Sequence, residues 1–187
     1  LVISNGITVQ SLSGAGATVI DGNQAVRCLY IRDTNALVTG FTIRNGNKVM
    51  NGAGVLIDGA GTLQNCTVTG NTASNYAGGV YCYNGGMVQS CTISGNSATW
   101  GGGVQCEGTG VVSECTISGN TAFFGGGVRL RMGGLVRNST INNNTGNGGG
   151  GGVQIVNTGV VQNCAISGNS CNSPGTNYGG GVYCYLG

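Results

Sequence analysis

Residues 91–106 read CTISGNSATWGGGVQC, and nearly the same line is written again before and after them. With Val104 as the anchor, the matching valines are Val55, Val80, Val104, Val128, Val153 and Val182, separated by 25, 24, 24, 25 and 29 residues. With Cys91 as the anchor, Cys66, Cys91, Cys115, Ser139 and Cys164 follow at intervals of 25, 24, 24 and 25. Two independent markers holding one register define a repeat protein. Within each unit apolar and polar residues alternate in three short runs punctuated by Gly or Asn, which is the period of strands and not of helices. Strands this short cannot bury a face alone, so each must pair with its copy one unit away. Stacked parallel strands rise ~4.8 Å per unit, so about seven units make a rod of roughly 30–35 Å. Crossovers between such strands are right-handed. The sequence therefore predicts an all-β, right-handed parallel β-helix, with three short strands in each coil of 24–25 residues.

Composition agrees with one solenoid and narrows its chemistry. Glycine supplies 40 of the 187 residues without the three-residue period of collagen. A hydrophobic content of 40% in strict register argues against disorder. The chain has 7 basic and 5 acidic residues, a net charge of +2 and no histidine. The basic residues are scattered, so neither nucleic acid nor an anionic membrane has a docking patch. No apolar run is long enough to span a bilayer, and no cofactor is implied. Residues 1–50 read as a degenerate opening, with Ile7, Val9, Val19, Ile20, Leu29, Ile31 and Ile43 in strand-like runs. Regular coils occupy 52–187. The chain opens inside a strand and closes inside a coil, so 1–187 is expected to be a segment of a longer protein.

The columns of the expected coil follow from alternation. Val80/Cys82, Val104/Cys106, Val128/Leu130, Val153/Ile155 and Val182/Cys184 point inward on one strand. The cysteine anchors Cys66, Cys91, Cys115 and Cys164 lead the inward column of another. Asn71, Asn96, Asn120, Asn144 and Asn169 fall at a bend, where an inward amide stack can bond from coil to coil. The glycines ahead of each valine mark a sharp turn, expected at positive φ. Residues 148–152 are five glycines in a row, expected as a flexible bend, and 170–178 are expected as a surface insertion. Nine cysteines suit an oxidising compartment, but the set contains no CxxC and no histidine, so it has no zinc-site spacing. In-register strands aim their Cβ vectors alike, which suits disulfides poorly. The cysteines are expected to be buried thiols that act as small apolar fillers.

The pairing of CTISGNSA with a following GGGV resembles the repeats of polymorphic outer-membrane proteins and of the wider group of secreted β-helix proteins of bacterial cell surfaces. The likeness covers 52–187, with Gly-Val in place of an Ala-aliphatic pair and Cys in place of an aromatic residue. It implies a secreted or cell-surface location and a stalk, adhesin passenger or filament subunit. End-to-end self-association, or a carbohydrate or host-surface ligand, would be the partner.

Outward columns are where such a ligand would dock. Alternation assigns Leu56/Asp58, Tyr81/Tyr83, Gln105/Glu107, Arg129/Arg131, Gln154/Val156 and Tyr183/Tyr185 to one external face. An aromatic column of Tyr76, Trp100, Phe124, Gly149 and Tyr178 runs just ahead of the glycines. The candidate binding face is Tyr81, Tyr83, Trp100, Glu107, Arg129, Arg131, Tyr183 and Tyr185, since exposed aromatics with Arg and Glu suit recognition. Rings that stack on one another and cover the turn are the structural alternative. Catalysis on polysaccharide would need clustered carboxylates. Asp33 and Asp58 are the one candidate pair, read as vertical neighbours with Glu107 further on. A third reading uses the outward ranks of Thr67/Thr69, Thr92/Ser94 and Thr116/Ser118. They resemble ice-binding arrays, although threonine simply suits exposed strands.

Overall fold

The computed structural model describes residues 1–47, 49–173 and 178–186. A typical coil runs through Val104–Glu107, Val111–Ser113, Thr116–Ser118 and Thr121–Phe124, with a bend after each strand. The first three pair with their copies into parallel sheets of eight, seven and seven strands that run the length of the rod. Like lies on like: Val80 pairs with Val104 and Val104 with Val128, while Ile93 pairs with Ile117 and Ile117 with Ile141. Residues 1–50 wind in the same ladder, with Leu29 opposite Val55 and Val38 opposite Leu63. Their backbone repeats even where the GGGV motif does not.

Three apolar columns fill the interior. Leu29, Val55, Val80, Val104, Val128 and Val153 are wholly buried, as are Leu63, Val88, Val112 and Val136 on the second sheet. Ile43, Val68, Ile93, Ile117 and Ile141 close the core from the third. Burial of each such side chain contributes roughly 1.5–3 kcal/mol. β-Branched residues dominate because they fit a pleated surface that has an identical neighbour above and below. No helix among the described residues is long and apolar enough to cross a membrane.

Two corners carry the remaining columns. From Asn96 onward, each Asn of the ladder accepts at Oδ1 from the backbone N–H and Nδ2 of the Asn one coil earlier, for example Asn120 from Asn96 at 2.9 and 3.0 Å. Its own Nδ2 also reaches an inward carbonyl, as Asn120 does to Ile93 at 3.0 Å. The ladder from Asn71 to Asn169 thus leaves no inward amide unpaired. At the other corner the thiols of Cys66, Cys91, Cys115 and Cys164 each donate to a carbonyl two residues earlier, at 3.1–3.2 Å. All nine cysteines are free thiols.

The three strands expected per coil make up the three long sheets, and a shorter fourth sheet, of four strands, is added to the later coils. It is formed by Ser97–Trp100, Thr121–Phe124, Thr145–Gly149 and Ser170–Cys171. The glycines that follow it explain its position. Gly101 turns at φ 66°, and a Cβ there would stand 2.9 Å from Gln105 Cβ. The chain therefore doubles back closely enough to lay the aromatic column over the neighbouring strand. Gly102 and Gly103 keep ordinary φ values; they are glycines because a Cβ would meet the next coil's carbonyl oxygens at 2.4–2.6 Å.

That cover corrects the expected external face. Tyr81, Gln105, Arg129 and Gln154 are buried, at 4%, 0%, 6% and 3% exposure. They do point away from the interior of the coil, but beneath the aromatic column. The five-glycine run is corrected too: it completes a strand and a packed turn, with Gly148 so close under Phe123 that a Cβ would lie 2.4 Å from the ring. Of the expected insertion at 170–178, residues 174–177 lie outside the described residues.

Candidate functional site

Two clefts open where the aromatic column meets the first sheet, and together they hold all eight candidate binding residues. One, of about 340 Å³, is lined by Trp100, Phe124, Arg129, Gln154, Val156, Tyr178, Tyr183 and Tyr185. The other, of about 380 Å³, is lined by Asn51, Leu56, Tyr76, Tyr81, Tyr83, Glu107 and Arg131. The eight candidates therefore do not form one continuous strip.

The second cleft is organised by Glu107. Tyr81 donates its hydroxyl to Glu107 Oε2 at 2.7 Å, and Arg131 pairs with Oε1 in an ion pair. Burial, then the bond to Glu107, pushes the Tyr81 phenol far above the ordinary tyrosine range. Tyr83 leans on Tyr81, with ring centroids 5.8 Å apart, and stands more exposed at 40%. What faces solvent here is a ring edge, one guanidinium and a carboxylate whose two oxygens are both engaged.

The first cleft is organised by Arg129. Its guanidinium lies 4.5 Å from the Trp100 ring centre, and Trp100 in turn stacks on Phe124 at 4.8 Å. Nε donates to Gln154 Oε1 at 2.8 Å, and Nη1 reaches Gln105 Oε1 at 3.4 Å. Burial, reinforced by the nearby Arg131, lowers the Arg129 pKa to about 10. Sequence alternation placed Gln105 and Gln154 in this rank but gave no sign that they would be covered and bonded to one another's neighbour.

The expected acid pair does not assemble. Ile31 pairs with Ile57, a register that brings Arg32, not Asp33, level with Asp58. Asp33 accepts from the Asn35 backbone within its own turn, and Asp58 accepts from the Tyr30 hydroxyl at 3.0 Å. The outward Thr and Ser ranks are in register on the third sheet, as Thr92 with Thr116 and Ser94 with Ser118.

The family model described as a right-handed beta helix region matches residues 27–187. No curated protein and no solved structure matches the chain.

Proposed function

Because the chain belongs to the family of right-handed β-helix regions, we propose that it works as a non-catalytic scaffold of a secreted or cell-surface protein. Its service is as a stalk, adhesin passenger or filament subunit. The observation that carries this reading is the way its polar groups are used. The asparagine amides bond along the rod, and both oxygens of Glu107 are held by Tyr81 and Arg131. Carboxylates committed in this way brace a surface; acid–base chemistry needs one that can exchange a proton with substrate. The Tyr83–Glu107–Arg131 strip supports adhesion, since a half-exposed ring beside a guanidinium suits recognition of another surface. End-to-end association is the partner mode of the same reading, because a parallel ladder whose outermost coils are uncapped leaves strand edges unpaired.

The second cleft also favours a carbohydrate-binding or carbohydrate-cleaving module, for a tyrosine ring beside Glu and Arg suits a sugar. One experiment separates the readings. The purified chain is incubated with a panel of neutral and acidic polysaccharides while reducing ends and unsaturated products are followed, and retention on the same polymers is measured in parallel. Product formation that disappears in Glu107→Gln overturns the scaffold reading. Retention without products that weakens in Tyr83→Ala and Arg131→Gln supports adhesion through this strip.

A further inference from the structure

The aromatic column carries a ring at Tyr76, Trp100, Phe124 and Tyr178, and at one rung, Gly149, it carries none. Gly149 is level with Phe124. A ring from the first sheet takes the place of the missing one: a Cβ on Gly149 would lie 3.1 Å from Tyr183 and 3.3 Å from Phe124. Tyr183 thus reaches the aromatic column, and both rings line one cleft.

Arg129 lies in the cleft that these rings line. Its guanidinium is buried against Trp100, and its bonded partners are the neutral amides of Gln105 and Gln154. No carboxylate lies within ion-pair distance of it among the described residues; Glu107, two positions from Gln105, is paired with Arg131. A buried cation whose bonded partners are all neutral keeps its attraction for an anion.

We propose that this cleft binds a carboxylate carried on a ring. The carboxylate accepts from Arg129, and the ring lies against the Trp100, Phe124 and Tyr183 side chains that line the cleft. Aromatic acids and sugar acids share that chemistry. The inference goes beyond the scaffold reading and does not depend on it, because the Tyr83–Arg131 strip belongs to the other cleft.

Trp100 is the one tryptophan of the chain and touches both Arg129 and Phe124, so its fluorescence reports on the cleft. The purified chain is titrated with benzoate and with glucuronate, each beside its neutral counterpart, benzyl alcohol or glucose. At least one acid is expected to give a saturable change, with its neutral counterpart at least tenfold weaker. A response to benzoate alone assigns the cleft to aromatic acids, and a response to glucuronate assigns it to sugar acids. Arg129→Gln continues the Gln105–Gln154 rank, so it should keep the native circular dichroism while the acid binds at least tenfold more weakly; Arg137→Gln, on the second sheet, should bind as before. A wild-type chain that responds saturably to neither acid, or equally to acid and neutral ring, overturns the site. So does a folded Arg129→Gln that retains full affinity. The acid-against-neutral comparison on the unaltered chain decides the question even where that variant does not fold.

Discussion

The corner that leads into the fourth sheet is built in two ways within one molecule. In the later coils an inward Asn fills it, opposite a glycine of the first sheet: a Cβ on Gly79, Gly103 or Gly127 would stand 2.9–3.1 Å from Nδ2 of Asn96, Asn120 or Asn144. One coil before Asn71 the roles are exchanged. Gly46 takes the place of the Asn, and Cys28 takes the place of the glycine. The Cys28 thiol donates to the Arg44 carbonyl at 3.1 Å and approaches Asn71 Oδ1 at 3.7 Å. The Gly46 N–H supplies the other bond to Asn71 Oδ1, at 2.8 Å. The corner therefore requires a filled volume and donors for its inward oxygens; which wall supplies them is open. The backbone has adapted to the exchange, for a Cβ on Gly46 would lie 2.0 Å from the Ala53 carbonyl oxygen.

The largest effect is expected where one Asn is removed and no thiol stands across from it. Asn120→Ala leaves the Asn96 N–H and Nδ2 without their acceptor and the Ile93 carbonyl without its donor. Each buried group left unpaired costs about 1–3 kcal/mol. The loss expected from denaturant unfolding is about 3–5 kcal/mol, read as a lower midpoint at unchanged slope. A loss under about 1 kcal/mol would mean that water enters the corner, and the ladder would then be decoration.

How much of this was legible in the sequence follows from what repeats. Val104 and Cys91 recur at intervals of 24–25, and alternation then assigns Ile93, Ile117 and the asparagines inward, where the structure places them. The periods of Leu29 and Val38 were hidden because residues 1–50 keep the backbone repeat without the motif that advertises it. The covered rank was illegible for a different reason. Alternation says which side of its own strand Arg129 takes, and it is silent on whether a later segment folds over that side. The signal was present in the glycines. A residue at 101 with a Cβ 2.9 Å from Gln105 forbids any side chain, so the run GGG announces a close return of the chain, not only a bend. Asp33 was misplaced by a single residue, because the register of the first sheet shifts where the repeat spacing lengthens to 26 between Leu29 and Val55. Cys28 carried no sequence signal at all, since its partner in the exchange is an unremarkable glycine.

The comparison sharpens at alkaline pH, where a thiol can ionise and an amide cannot. Burial pushes the Cys28 thiol up to about 11 from an ordinary value near 9. The folded state thus holds the neutral thiol more tightly than the unfolded state does. Its contribution is complete below pH 9 and is lost as pH rises from about 9 through 11. A shift of this size corresponds to about 3 kcal/mol. Arg129 works the other way, because its lowered pKa lets the folded state gain as pH passes above about 10. Cys28→Ser keeps a donor toward Arg44 and Asn71 and titrates nowhere in this window. Stability curves measured from pH 8 to 11 should therefore draw together toward the alkaline end, because only the wild type loses the Cys28 contribution while both keep the Arg129 gain. Parallel curves would show that Cys28 reaches solvent and is no substitute for the asparagine.

The smallest effect belongs to the cysteine corner, where the molecule has already made a substitution of its own. Ser139 stands in the column of Cys66, Cys91, Cys115 and Cys164, and it repeats their bonding: it accepts from the Cys115 N–H at 3.1 Å and donates to the Arg137 carbonyl at 2.8 Å. Cys91 does the same with the Cys66 N–H at 3.5 Å and the Gln89 carbonyl at 3.2 Å. The serine bonds are shorter, and the sulfur buries more apolar surface, so the two effects oppose each other. Ser139→Cys should then change stability by no more than about 0.5 kcal/mol in either direction. Thiol titration in denaturant should rise from nine to ten. A loss of about 2 kcal/mol or more would show that the hydroxyl is required at this rung. The two corners would then be governed by one rule, that a strong inward donor must be present, and the tolerance inferred for the thiol column would be confined to the coils where cysteine already stands.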